Sequence, residues 1–251
     1  MGQKLGQHFL IKGSILQRIA AAACPDPVPL VIEIGPGRGA LTEKLLERAE
    51  RVVAIELDPY LVEHLRAKFD SRLEVVHSDV LEADLTQWGP APIVGNLPYY
   101  ITSPILERVV RLDFPRAVFL MQKEVAERLA AGPGSRNYGY LTVQTALFAR
   151  IRMLFGVKPG AFQPPPKVDS AVVLLEPRDT PVENPDKFLE FVSACFRQKR
   201  KTLRNNLAAV YGKELLDELP GAGKRAEQLS IEDLIALYGR LRAAQLQPPH
   251  A

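Results

Sequence analysis

Asn96-Leu97-Pro98-Tyr99 closes the apolar run Pro92-Ile93-Val94-Gly95, and these four residues suit chemistry on an amine that is a poor nucleophile. An exocyclic amine on an aromatic base shares its lone pair with the ring, so it attacks only once that conjugation is broken. The Asn96 side-chain oxygen and the backbone carbonyl ahead of Pro98 are acceptors that can draw such an amine towards tetrahedral geometry. Pro98 fixes its own φ and restricts Leu97, which sets the direction of that carbonyl. Tyr99 then offers a flat face to a base removed from its helix. A plain Asn-Pro turn after a strand is the competing reading. The residues upstream decide between the two.

Glu33-Ile34-Gly35-Pro36-Gly37-Arg38-Gly39 follows an apolar run and opens a helical stretch, so its glycines let a ligand approach the backbone at a helix N-terminus. The spacing is G-x-G-x-G, not the dinucleotide G-x-G-x-x-G. Glu56 lies about twenty residues further on, at the end of a second strand, placed to take both hydroxyls of a ribose. Asp79, in His77-Ser78-Asp79-Val80, follows a third strand and can accept a hydrogen bond from a cofactor's adenine amine; it would also serve as a helix N-cap. An NAD enzyme shares the first two features but has no use for Asp79 together with Asn96-Leu97-Pro98-Tyr99. Four such features at the ends of four successive strands fit S-adenosylmethionine, its methyl directed at Asn96.

The elements that must position these residues alternate. Strand signals at Leu30–Ile34, Arg51–Glu56, Leu73–His77, Ile93–Gly95 and Ala117–Met121 are interleaved with helical patterns at Ala40–Ala49, from Pro59, at Thr102–Arg111 and at Lys123–Ala131. Such alternation predicts an α/β fold, a Rossmann-like parallel sheet with helices on both faces. Ile151–Val157 and Val168–Glu176 have no comparable helix between them and read as an antiparallel hairpin closing one edge. Residues 1–177 are thus expected to form the methyltransferase domain and 178–185, rich in proline and polar residues, a linker. Residues 186–251 show helical patterns only, to about Ala244, and read as a small all-α domain with a frayed tail from Gln247.

Composition excludes several classes. The chain has 251 residues, 47% hydrophobic and 24% charged, as in ordinary globular proteins. There is no run of about 18 apolar residues to span a membrane, and Met1–Gly6 lacks the apolar core of a secretory signal. Cys24 and Cys195 have no metal-type spacing and, like the four scattered histidines, suggest no metal site. A cytoplasmic location is expected. The net charge of +3 permits nucleic-acid binding without requiring it. Arg197, Lys199, Arg200, Lys201 and Arg204 fall close together, on an expected helix with Phe196, Leu203 and Leu207 on its buried side. With Asn205-Asn206 beside them they read as phosphate contacts. Arg108, Arg111, Arg116, Lys123 and Arg128 would extend that surface.

With these residues in view, the chain resembles the small-subunit (16S-type) ribosomal RNA adenine N6,N6-dimethyltransferases. The matching stretches are Lys4–Leu10, Glu33–Gly39, Glu56-Leu57-Asp58, Asp79, Asn96–Pro104, Phe162–Val172 and Phe196–Leu207, nearly end to end. The resemblance implies methylation of two adjacent adenines near the RNA's 3′ end, with S-adenosylmethionine as cofactor. Its substrate would be small-subunit rRNA within a pre-ribosomal particle, met by a monomer. It also implies that His8 and Leu10 lie over the methionine end of the cofactor, that Gly35 contacts it, and that Glu56 holds the ribose and Asp79 the adenine. Asn96 would stand between donor and target, with Tyr99 and Phe162 sandwiching the flipped base; Tyr100 is read as core. The related macrolide-resistance enzymes, which act on large-subunit RNA, share the Asn-(Leu/Ile)-Pro-Tyr motif but are not expected to carry Lys199–Leu207. Two other readings are weighed. Leu97 and the basic C-terminal region count against a methyltransferase of DNA adenine or glutamine amides. Intact Asn96, Tyr99, Glu56 and Asp79 count against a non-catalytic ribosome assembly factor.

Overall fold

Short runs of Val, Ile and Leu, bounded by glycine, proline or polar residues, become strands buried on both faces. The computed structural model describes residues 8–246. Lys4–Gln7, part of the resemblance, and the tail from Gln247 lie outside them. Five parallel strands are β2 (Val28–Ile34), β3 (Ala49–Glu56), β4 (Leu73–His77), β5 (Ile93–Asn96) and β6 (Ala117–Gln122). Two more, β7 (Ala149–Val157) and β9 (Ser170–Pro177), pair antiparallel with each other, and β9 also pairs antiparallel with β6. The sheet order is β4-β3-β2-β5-β6-β9-β7. The predicted hairpin therefore occupies one edge. A separate two-stranded ladder joins β1 (Phe9–Leu10) to β8 (Phe162–Gln163), with Leu10 opposite Phe162 and Phe9 opposite Gln163.

The helices of this unit are α1 (Gly13–Ala23), α2 (Ala40–Leu46), α3 (Pro59–Lys68), α4 (Thr102–Val109) and α5 (Lys123–Leu129). Pro59 opens α3 as predicted, and the Asp58 carboxylate accepts the Tyr60 N–H at 2.9 Å as its N-cap. Helix α1 was not anticipated; its Leu16, Ile19, Ala20 and Ala23 are buried in one core with Val31, Val52, Val94, Val118 and Val172. Chain order runs outward from β2 to β4 and then returns to β5 on the other side of β2. A crevice is expected at that switch, outside the carboxyl ends of the strands.

The second unit is built from α6 (Tyr140–Phe148), α7 (Pro185–Phe196), α8 (Leu203–Tyr211), α9 (Lys213–Asp217) and α10 (Ile231–Leu246). The boundary expected from sequence needs correction. The chain divides into Met1–Glu127 with Ala149–Pro177, and Arg128–Phe148 with Arg178–Ala251. Residues 128–148 leave the first unit because Tyr138, Val143 and Leu147 are buried in one core with Phe188, Val192, Leu207 and Leu241. Nor is 178–185 merely a linker. Arg178 N–H donates to the Phe148 carbonyl at 2.8 Å, and Asn184 caps α7 by accepting the Lys187 N–H at 3.0 Å.

Candidate active site and basic loop

Four carboxyl-terminal strand ends converge on one cavity of about 290 Å³, whose walls include Gly35, Glu56, Asp79, Asn96 and Tyr99. His8 and Leu10 on or beside β1 also line it. The cofactor-side residues singled out in sequence thus line one cavity. The glycines meet a steric demand: Gly37 has φ +57°, and a Cβ there would come within 3.0 Å of the Phe9 ring. The Arg38 guanidinium lies over that same ring, 4.7 Å from its centroid, so β1 is laid across the Gly-rich turn.

Glu56 is 5% exposed and knits the site together. Its Oε2 accepts the Gly37 N–H at 3.2 Å, and its Oε1 accepts those of Leu57 and Asp58, each at 3.0 Å. A carboxylate offers about four acceptor sites. Three of these are used by the N–H groups that hold the carboxylate in place. Burial pushes the Glu56 carboxyl above the ordinary range, opposed by these N–H donors. Asp79 uses Oδ1 to accept the Leu81 N–H at 2.8 Å, so its turn-capping role is real and concerns one oxygen.

Glu33 was seen in sequence only as the first residue of the Gly-rich stretch. It is 1% exposed, lines the cavity, and accepts the Thr42 hydroxyl at 2.6 Å. Desolvation pushes its carboxyl up to about 8; Thr42 opposes the shift and the nearby Glu56 charge adds to it. A carboxyl this deep had no sequence signal beyond its place at the end of β2.

Asn96 donates its Nδ2 N–H to the His8 carbonyl at 2.9 Å. That acceptor can pair only with the amide nitrogen, which orients the side chain and leaves Oδ1 as its accepting atom. The Pro98 carbonyl receives Thr102 Oγ1 at 3.0 Å and the Ile101 N–H at 3.2 Å. The turn after β5 is therefore closed by its own residues. Tyr99 is held at its hydroxyl, 2.6 Å from Ser170 Oγ, and its ring lies 5.8 Å from that of His8 at 34°. Burial raises the phenol above its ordinary range, and the Ser170 bond works against that. His8 itself is tied to the Pro164 carbonyl at 2.9 Å.

Two aromatic assignments are corrected. Phe162 is 3% exposed and packs in the core with Leu10, Leu16 and Val172; it is not part of the cavity wall. Successive side chains of a strand face opposite ways, and in the β1–β8 ladder it is Gln163 that reaches the cavity. Tyr100, expected in the core, is 63% exposed and lines the cavity. The turn that closes after Pro98 turns it outward.

The basic run is corrected as well. Arg197–Thr202 is a loop between α7 and α8, not a helix; Phe196 ends α7 and Thr202 caps α8. Arg204 on α8 forms a two-pronged ion pair with Asp217, which raises its own basicity and lowers that of the acid. Lys199 donates to the Arg136 carbonyl and sits 3.8 Å from Glu227. Arg197, Arg200 and Lys201 are exposed, with no ion pair or side-chain hydrogen bond among the described residues. In the first unit, Arg108 donates to the carbonyls of Leu81 and Ala83, and Arg116 to that of Ala22 at 3.0 Å. Lys123 stands 3.6 Å from Glu127. Arg108 and Arg116 brace backbone and do not extend a free cationic surface.

Known proteins resemble this chain over most of its length. A relative from Acidobacterium capsulatum, "Ribosomal RNA small subunit methyltransferase A", is 45% identical over 95% of this chain and 90% of its own length. A "Probable ribosomal RNA small subunit methyltransferase A" from Methanosarcina acetivorans is 42% identical over 96% and 93%. Among solved structures, a dimethyladenosine transferase from Plasmodium falciparum superposes with a TM-score of 0.81 at 28% identity, covering 95% of this chain and 98% of that one. The 23S rRNA methyltransferase ErmE gives 0.72 at 30% identity, covering 93% and 99%. The family model described as ribosomal RNA adenine dimethylase matches residues 2–242. With this match and a strand-end cavity suited to S-adenosylmethionine, the chain belongs to the ribosomal RNA adenine dimethylases, methyltransferases that use that cofactor.

Proposed function

We propose that this protein places two methyl groups on the N6 amine of each of two adjacent adenines near the 3′ end of small-subunit rRNA. The observation that carries the reading is Asn96: its amide nitrogen is anchored by His8, so its oxygen is the acceptor at a cavity wall shared with Tyr99. When bound, S-adenosylmethionine supplies an electrophilic methyl. Gly35 and Gly37 would admit it at the backbone, Glu56 would take the ribose hydroxyls, and Asp79 would take the adenine amine. His8 and Leu10 would cover its methionine end.

Asn96 Oδ1 and the Leu97 carbonyl would accept the target amine's hydrogens and free its lone pair, while Tyr99 stacks on the base. Positioning and fixed dipoles do most of this work. No general base is required, because the methylated nitrogen is acidic and loses its proton to water or a carbonyl. A neutral Asn suits a second transfer, since one N–H remains to be held.

The small-subunit assignment is supported by relatives of that name at 41–45% identity over most of the chain, and by a TM-score of 0.81 with the dimethyladenosine transferase against 0.72 with the 23S enzyme. Arg197, Arg200 and Lys201 are the cations offered to RNA phosphates, with Lys199 and Arg204 as braces. The reading extends to a monomer acting on rRNA within an immature particle in the cytoplasm. No helix among the described residues is long and apolar enough to cross a membrane, and Cys24 and Cys195 are buried free thiols. The test is incubation with labelled cofactor and undermethylated small subunits, large subunits or naked RNA, followed by mapping of modified bases. Label on paired adenines of the small subunit supports the reading; label confined to large-subunit RNA, or none, refutes it.

A further inference from the structure

Asn206 lies on α8 only 9% exposed, and its polar atoms are all directed at backbone. Nδ2 donates to the carbonyls of Cys195 at 2.8 Å and Gln198 at 3.1 Å, and Oδ1 accepts the Gln198 N–H at 3.2 Å. The Cys195 carbonyl belongs to the last turn of α7, where carbonyls lack helical partners. Asn206 therefore closes the end of α7 and fixes the start of the loop that follows. Two other ties hold the same loop. Lys199 reaches the Arg136 carbonyl, and the Leu203 N–H donates to the Lys224 carbonyl at 2.8 Å.

A loop pinned at its start, middle and end still leaves Arg197, Arg200 and Lys201 exposed and without ion pairs among the described residues. Ordering a flexible loop on binding weakens affinity, and holding it in shape beforehand removes that cost. Asn206 itself is too buried to touch phosphate.

We propose that Asn206 is a positioning residue for RNA recognition, holding the Arg197–Thr202 loop so that Arg197, Arg200 and Lys201 meet RNA phosphates already ordered. This rests on the reading that the loop contacts RNA. The test titrates the full chain with undermethylated small ribosomal subunits, comparing Asn206→Leu and the milder Asn206→Ala with Leu241→Ala. Leu241 is fully buried on α10 and controls for lost stability. Both Asn206 variants should raise Kd by about tenfold or more. Leu241→Ala should not, even where it lowers the melting temperature as much. Hydrogen exchange at the Gln198 amide should accelerate in the Asn206 variants while α10 amides stay protected.

Wild-type affinity despite faster exchange at Gln198 would overturn the proposal, as would an equal rise in Kd for Leu241→Ala. A triple Arg197→Ser, Arg200→Ser, Lys201→Ser variant separates the two levels. Normal binding by it removes the loop–RNA reading itself, and the proposal with it. Weakened binding by the triple variant alongside normal Asn206 variants rejects only the positioning role.

Discussion

Asn96 uses its amide nitrogen on the His8 carbonyl, which makes the oxygen the atom a substrate would lose on truncation. Asn96→Ala should keep cofactor affinity within about tenfold and slow methyl transfer at least about a hundredfold, as when one preorganised partner is removed elsewhere. Single-turnover assays beside calorimetry check both halves; near-normal transfer would reject the role. Glu33 gives a different signal. Its carboxyl titrates near 8 in the fold against an ordinary value of 4.5, because it is desolvated. Between those values the folded state keeps a proton that the unfolded chain has lost, so stability falls as pH rises from about 4.5 to 8. Melting of the ligand-free protein should therefore drop across that range, and more gently in Glu33→Gln. The comparison is of slopes, since the extra N–H of Gln carries its cost at every pH. Identical slopes would place the charge elsewhere. At this scale the legible residues were those at strand ends, where type and position coincide: Gly35, Glu56, Asp79, Asn96. Phe162 and Tyr100 exchanged places because burial of a single aromatic depends on a two-residue ladder and a turn, and neither leaves a pattern in sequence.

The parallel strands were legible because each is an apolar run between breakers. The elements that escaped lack such contrast. Helix α6 is buried along most of its length, Thr142, Gln144 and Thr145 included, so polar and apolar residues do not separate onto opposite faces to mark a helical period. The Arg197–Thr202 stretch looks helical from its charges and flanking apolar residues, but Asn206 draws the backbone out of helix at Gln198. β1 is two residues long, yet Phe9 presses on the Gly-rich turn. Gly37→Ala tests that contact: a Cβ at φ +57° costs roughly 1–2 kcal/mol in backbone alone, and here it also meets the Phe9 ring. Thermal unfolding should show a loss of at least that size, and calorimetry weaker S-adenosylmethionine binding. A variant with unchanged stability and affinity would mean that the turn does not need glycine at this position.

On the scale of the molecule, the cavity residues lie in one unit and the exposed cations proposed to meet RNA phosphates in the other, so charge and chemistry can be tested separately. Replacing Arg197, Arg200 and Lys201 with Ser should leave cofactor affinity unchanged. It should also make the slope of log affinity for small subunits against log salt shallower by up to about 0.7–0.9 per lost phosphate contact. Arg204→Ser would instead break the exposed Asp217 pair, with little change in stability. A slope unmoved in the triple variant would shift RNA recognition to other residues.

The chain does not visit its two units once each. It leaves the sheet unit after Glu127, supplies α6 to the helical one, returns for β7 and β9, and departs again after Pro177. The helical unit is consequently not a detachable appendage that recombination or a stop codon could trim away. Ending the gene after Pro177 would strand Tyr138, Val143 and Leu147 without their apolar partners on α7, α8 and α10. Such a product should be recovered largely as insoluble material. A soluble, cooperatively folding fragment of residues 1–177 would show α6 to be dispensable. Excising 128–148 along with the C-terminal part, and bridging the gap with a short linker, is the cut that respects the fold.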